Sequence, residues 1–595
     1  MTLPIKAAVF FHALFAFLYV HQSAAELVKL GNVTLNTPVG EVRGNSLLLT
    51  ANFDKNTPSF IYEFLGIPYA KPPVGDLRFK PTEQPELWKG TYDALVMPPA
   101  CPQYAENPFP WYDTLPGHSE DCLYLNVWAP KEAVIGYNEG DKTQKRAVKL
   151  YIHGGGWFTG GASRIGYYEG NGDAGDSKIT DQHFNEFMGI VVVTVNYRLG
   201  ALGFLSSGTD NAPGNAGLHD ILTAMKWVHS NIASFGGDPD NIVIFGQGAG
   251  AIAASFFLTV PSALPLFNKM VLSGATLYTL KALKGATNEY GDGSDNNIKL
   301  ANRLAEAVGC GSSIAENPKD TVDCLKGVDA SSLVQTLASF SPVFQQPPNV
   351  FLPQFERDPF AILNSNIMNS DKKKLILAFN GDEGSYLLTV NNPDVFGVFG
   401  EKDAGIDDVQ AKSMLTKFLE NFPQPDDLAE KLLGDLDTEP TVGNRKRVYQ
   451  VMGHVNTICP IVYLADDLEN GGYTVYVEEK RVEPPYNPWA KWMGTVHFNN
   501  VQLDFLRKAP FLINGRSYNP TYLEFEASYF NKVLVGRFMY DKLHKVITPF
   551  LIKYRSKDRF YSRFDKDAEF FYDGGRHHRN LGGKYCEILK KYFVN

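Results

Sequence analysis

At 595 residues, with 44% hydrophobic, 13% aromatic and 20% charged content, the chain has enough apolar material for a large packed core. Those proportions exclude a disordered tail, a fibrous chain and a small disulfide scaffold. A formal net charge of −9 also lacks the basic footprint of a nucleic-acid binder, so no nucleic-acid partner is expected.

Met1 to Lys6 is followed by an apolar run from Ala7 to Val20 and then Ser23-Ala24-Ala25, small residues of the kind signal peptidase requires. Residues 1–25 therefore read as a signal peptide. Residues 26–595 read as one large domain, since no low-complexity linker and no fixed-period repeat divides them. The leading run is short for a bilayer, no later stretch reaches about 18 uninterrupted apolar residues, and no hydrophobic tail closes the chain. A soluble, secreted, extracellular protein without a membrane anchor is expected. Asn32-Val33-Thr34 is a glycosylation sequon compatible with that route.

Cys101, Cys122, Cys310, Cys324, Cys459 and Cys586 suit three disulfides in an oxidising compartment, and their number alone leaves the pairing open. No Cys-x-x-Cys or His-x-x-x-His spacing accompanies them, so neither a metal nor another cofactor is expected.

Ala147 to Ile152 and Ile190 to Val195 are apolar, β-branched runs of the kind buried on both faces of a parallel sheet. Leu218 to Val228 has a helical pattern, Gly236-Gly237-Asp238-Pro239 punctuates it, and Asn241 to Phe245 reads as another strand. Strand, helix, strand is the rhythm of an α/β protein with a mostly parallel sheet. Lys374 to Phe379 and Thr474 to Val477 read as later strands of it.

Directly after the strand at Asn241 to Phe245 stands Gly246-Gln247-Gly248-Ala249-Gly250, followed by the helical run Ala251 to Leu258. Strand, glycine turn, helix is the context of the Gly-x-Ser-x-Gly nucleophile elbow. The flanking glycines fit a turn with no room for Cβ atoms. The centre of that pattern is serine; here it is Gly248. A dinucleotide-binding turn is excluded, because the third glycine it requires is missing and a His-Gly-Gly-Gly loop is present.

On these residues the chain resembles the cholinesterase and type-B carboxylesterase family of α/β-hydrolases over nearly all of the expected mature sequence. Tyr151-Ile-His-Gly-Gly-Gly-Trp157 is similar to the family's oxyanion-hole loop, and Ser119-Glu-Asp-Cys-Leu-Tyr-Leu-Asn126 to its second cysteine motif. Asn196 to Phe204 and Asn231 to Pro239 resemble its scaffold signatures. The resemblance implies an α/β-hydrolase fold with disulfides Cys101–Cys122, Cys310–Cys324 and Cys459–Cys586. It implies Glu383 as triad acid, His497 as triad base, Gly248 at the nucleophile position, and the N–H groups of Gly155, Gly156 and Ala249 as oxyanion donors. It also implies Arg78 with Glu120, and Arg198 with Asp220, as structural ion pairs.

Several positions depart from the family pattern. Gln247 and Asn500 are amides where the family commonly has carboxylates, although a Gly-Gln-Ser-Ala-Gly elbow occurs in active, juvenile-hormone-esterase-like members. Phe498 stands where cholinesterases commonly have the glycine after the histidine, which disfavours a choline-specific reading. Trp157, Gln247 and Asn500 are candidates to line a ligand gorge, with Trp111 and Tyr112 as weaker ones. From Asp541 onward 13 Lys/Arg stand against 7 Asp/Glu, and the interspersed acids point to an ordinary solvated face.

Without an Oγ there is no acyl-enzyme. The expected function is therefore that of a catalytically impaired, cholinesterase-like protein. It would act by binding a small apolar or ester-like ligand or an extracellular protein partner, as the family's neuroligins, neurotactin and glutactin do without catalysis. The alternative is a carboxylic-ester hydrolase with residual or unconventional activity. Ser255, on the following helix, and Ser273, beyond the next strand, are not expected to replace Gly248.

Overall fold

The computed structural model describes residues 27–49, 59–104, 117–141, 143, 145–163, 189–284, 294–311, 313–340, 359–369, 371–434, 443–483, 487–501, 511–513, 516–518, 534–536, 538–541, 551–565 and 576–594. The expected signal peptide, Trp111 and Tyr112 lie outside them.

Among the described residues, twelve strands follow one another across one sheet: β1 (Leu27–Thr37), β2 (Gly40–Leu49), β3 (Ser59–Pro68), β4 (Tyr124–Pro130), β5 (Arg146–Ile152), β6 (Val191–Val195), β7 (Gly237–Gln247), β8 (Lys269–Ser273), β9 (Lys374–Asn380), β10 (Thr474–Arg481), β11 (Tyr561–Asp565) and β12 (Arg576–His578). Their spatial order is β1-β2-β3-β4-β6-β5-β7-β8-β9-β10-β11-β12, and the short strand Thr91–Asp93 pairs beside β2. Pairings from β6 through β11 are parallel, and those at both ends are antiparallel. This is the mostly parallel sheet of an α/β-hydrolase fold.

The central strands read as continuous apolar runs because helices cover both of their faces, so no residue of Val191–Val195 meets solvent. β7 begins earlier than the strand read from Asn241. Its pairing with β5 jumps between Gly237 and Ile242, and this irregularity takes up Pro239, which cannot donate to a regular ladder. After β6, helix α1 (Ala216–Asn231) returns the chain to β7 and buries Leu218, Ile221, Met225 and Val228. The helical pattern at Leu218 to Val228 is the centre of α1.

Arg198, just after β6, grips Asp220 on α1 through Nε and Nη2 at 2.9 and 2.8 Å, and its own N–H bonds the same carboxylate. Both residues are buried. A buried pair of this kind is expensive to break, because removing one charge leaves the other desolvated. Asp220→Asn is expected to lower stability by about 3 kcal/mol in denaturant unfolding. A change within the error of the titration would show that the pair contributes little.

Disulfides join Cys101 to Cys122, Cys310 to Cys324 and Cys459 to Cys586, the pairing that the family resemblance implies.

Candidate functional site

β7 ends at Gln247, Gly248 makes the turn, and helix α2 (Ala249–Phe256) begins immediately. The turn is tight for a steric reason. A Cβ on Gly246 would stand 2.5 Å from the Gly250 carbonyl oxygen, and one on Gly250 would stand 2.6 Å from the His153 carbonyl oxygen. Gly248 itself sits at φ 52° and ψ −121°, a combination that side chains other than glycine rarely adopt. Its N–H bonds the Ser273 carbonyl at 2.9 Å, which anchors the turn to β8. Ser273 is the last residue of β8 and the register partner of Gln247, one step nearer the elbow than the sequence suggested.

Glu383 opens helix α3 (Glu383–Asn391), which starts just beyond β9. Its Oε1 accepts the N–H of Asn380 at 2.7 Å, and its Oε2 accepts His497 Nδ1–H in a short hydrogen bond. Both residues are buried, at 2% and 8% exposure. With Nδ1 committed as donor to the carboxylate, the imidazole presents its Nε2 lone pair on the other edge. That edge faces the turn: a Cβ built on Gly248 would lie 3.4 Å from Nε2.

The loop before the site supplies donors. Gly155 and Gly156 have φ of 120° and 62°, and a Cβ on Gly155 would stand 2.7 Å from the Thr159 carbonyl carbon, so the loop requires glycine there. No acceptor among the described residues takes the N–H of Gly155 or Gly156. Ala249 is the first residue of α2, where a helix has N–H groups without intrahelical acceptors. Such backbone donors survive any side-chain change that keeps the loop.

Gln247 is buried, and its Nε2 lies 3.4 Å from His497 Nε2. Its Oε1 has no hydrogen-bond partner among the described residues and faces Gly154, where a Cβ would collide with it. The amide thus spans the gap between the glycine loop and the imidazole.

The other two gorge candidates are placed differently. Trp157, 1% exposed, packs edge-on to Phe204 at 5.1 Å between ring centroids and to Tyr197 at 6.5 Å, so its described contacts are core contacts. Asn500 is buried, and its Oδ1 accepts from Asn380 Nδ2 at 3.2 Å, while the same Nδ2 bonds the Val496 carbonyl. It braces the turn that aims Glu383.

Three further neighbours surround the imidazole, of which only Phe498 stood out in the sequence, as a departure from the family pattern. Phe498 has φ 77°, its ring meets His497 edge-on at 4.1 Å, and its Cε1 would be 3.5 Å from a Cβ on Gly248. The family pattern, with glycine at this position, held the signal: the backbone still turns left-handed although the residue is aromatic. Tyr386 stacks on His497 with ring centroids 5.9 Å apart. Gly274, at φ 72°, leaves room for the imidazole, since a Cβ there would stand 2.7 Å from His497 Cε1. Nothing local to Tyr386 or Gly274 in sequence announces these contacts.

Asn32 and Thr34 of the sequon are exposed on β1. Among the described residues no cluster of metal-ligating side chains is present, and no helix is long and apolar enough to cross a membrane.

Residues 31–519 match the carboxylesterase family. The chain is 34% identical over 454 residues to acetylcholinesterase-1 of Trittame loki, covering 75% of this chain and 77% of that protein. It is 30% identical over 553 residues to acetylcholinesterase of Electrophorus electricus, covering 84% and 79%. It is also 30% identical over 492 residues to cholinesterase of Mus musculus, covering 79% and 73%.

Proposed function

The chain belongs to the carboxylesterase family, and from that premise we propose that it is a secreted member whose elbow has lost the nucleophilic serine and which binds an ester-like ligand without turning it over. The observation that carries this reading is the absence of any side chain at Gly248, where a Cβ would come within 3.4 Å of the His497 lone pair. In acyl transfer that imidazole takes the proton of the attacking hydroxyl, and the carboxylate holds the ring and stabilises the imidazolium. Here the base and its carboxylate are in position, and the turn offers them no hydroxyl to deprotonate.

The surviving groups suit binding. A carbonyl oxygen directed at the N–H groups of Gly155, Gly156 and Ala249 would satisfy donors that have no acceptor among the described residues, which favours small apolar esters and their analogues as ligands. The Gln247 amide beside His497 Nε2 occupies part of the lone pair's approach and argues against a water poised for attack. A glycan on the exposed Asn32 fits the secretory route.

The test uses the purified full-length protein with p-nitrophenyl butyrate and a fluorescent fluorophosphonate. We expect no covalent label, and hydrolysis no faster than that of His497→Ala, while p-nitrophenyl butyrate binds saturably by tryptophan fluorescence. Turnover in the parent that disappears with His497→Ala would overturn the reading in favour of water-mediated hydrolysis.

A further inference from the structure

A cavity of about 190 Å³ opens behind the acid of the site. Glu383 and Gly384 contribute to its wall, but Gly248, His497 and the Gly155 loop do not, so it is a separate compartment. It lies where β9 and β10 end, beside the first half of β11, and is closed from the side by helix α4 (Asn444–Gly453) and the five-residue π-helical segment His454–Ile458. Departures of this kind from α-helical winding recur at functional sites.

Charges of both signs line the cavity. Glu479 is held by two guanidinium groups, Arg481 on Oε1 through Nε at 2.8 Å and Nη2 at 2.6 Å, and Arg563 on Oε2 through Nε at 2.6 Å. Two cations therefore share one carboxylate. Arg481 Nη1 has no partner among the described residues, so donors of this guanidinium remain for a further acceptor.

Asp382 contributes the complementary charge. It accepts hydrogen bonds from the N–H of Thr495 at 3.1 Å, the Thr495 hydroxyl at 3.3 Å and the Tyr449 hydroxyl at 3.3 Å. All of these donors are neutral, and no cation pairs with it among the described residues. His454 adds an acceptor. Its Nδ1 lies 2.8 Å from the Gln450 carbonyl and donates to it, leaving the Nε2 lone pair without a partner among the described residues. Burial holds this imidazole's pKa down to about 4, so it is neutral at extracellular pH and accepts a hydrogen bond there.

We propose that this cavity binds a small zwitterion of the amino-acid type, its carboxylate on the guanidinium of Arg481 and its ammonium between Asp382 and the Nε2 of His454. An anion alone would leave the Asp382 charge without a counterion, and a cation alone would leave the arginine donors unfilled. A zwitterion satisfies both through charge-assisted hydrogen bonds, to a guanidinium whose side chain is 39% exposed and a half-buried carboxylate. The aromatic walls of Phe379, Tyr449 and Tyr561 leave space for a short side chain. The proposal does not depend on whether the Gly248 site turns over esters.

Calorimetric titration of the full-length protein with L-alanine tests it, with sodium acetate and ethylammonium chloride as single-charge controls at matched ionic strength. L-alanine is expected to bind saturably in the millimolar range, and both controls at least tenfold more weakly. Arg481→Gln is expected to weaken L-alanine binding at least tenfold in a variant that still folds. His454→Gln is expected to weaken it less than Arg481→Gln, and it supplies the same reading if the arginine variant fails to fold. Absence of saturable L-alanine binding, or acetate binding as tightly as L-alanine, overturns the proposal.

Discussion

Gly248→Ser is expected to turn the protein into an esterase, raising kcat for p-nitrophenyl butyrate by about 10⁴ or more and making it a target for fluorophosphonate labelling. Loss of the nucleophile from a comparable triad hydrolase removes roughly 10⁶ in turnover, and on the proposed reading a serine at position 248 would supply the corresponding hydroxyl. The Cβ of the new residue would lie 3.4 Å from His497 Nε2 with only ordinary contacts around it, so an Oγ one bond further out reaches hydrogen-bond distance. Glu383 already holds Nδ1 in the donor state, and the N–H groups of Gly155 and Gly156 have no acceptor among the described residues. Recovery stays below the full value for two reasons visible in the structure. Gln247 Nε2 competes for the same lone pair at 3.4 Å, and Phe498 Cε1, 3.5 Å from the new Cβ, crowds the approach.

The same substitution should lower stability. At φ 52° and ψ −121° glycine is at ease, whereas serine is strained by roughly 1–3 kcal/mol. Gain of activity together with a lower melting temperature is therefore the expected pair of results. A folded Gly248→Ser variant that neither labels nor hydrolyses would show that the donors and the base are not aligned on one reacting atom. A raised melting temperature would show that the turn is unstrained.

Loss of the Cys459–Cys586 bridge is expected to be the most damaging covalent change. The two residues are 127 positions apart, the widest separation of the three disulfides, and a loop of that length corresponds to about 5 kcal/mol in the chain-entropy account. The bridge ties the C-terminal helix Gly583–Phe593 to the helix Cys459–Asn470, which continues directly from the π-helical segment beside Glu383. Tyr463 adds a hydrogen bond from its hydroxyl to the Cys586 carbonyl at 2.6 Å. Replacing both cysteines by serine should lower the denaturant midpoint clearly, and by more than the same change at Cys310 and Cys324, whose separation is 14. Equal losses at the two bridges would argue against an entropic origin.

Much of the fold was legible because its signals are short-range. The run Val191–Val195 is β-branched throughout and apolar at every position but Thr194, as suits a strand buried on both faces. The elbow was readable for a similar reason: Gly246 and Gly250 answer to steric limits set by atoms a few residues away or on the adjoining strand. The start of β7 was less legible, because only its neighbour β5 determines where pairing begins and where it skips around Pro239.

The site divides in the same way. By itself the sequence determined that Gly248 stands in a glycine turn between strand and helix and that a glycine loop precedes it, since both follow from local backbone geometry written in consecutive residues. Only the tertiary structure decided that Trp157 packs against Phe204, that Asn500 braces Asn380, and that Phe498 and Tyr386 enclose the imidazole. It also decided that Asp382, His454 and Arg481 face one cavity. Where a side chain points depends on which distant elements pack against its own. Those contacts cross long stretches of chain, and no local pattern of residues encodes them.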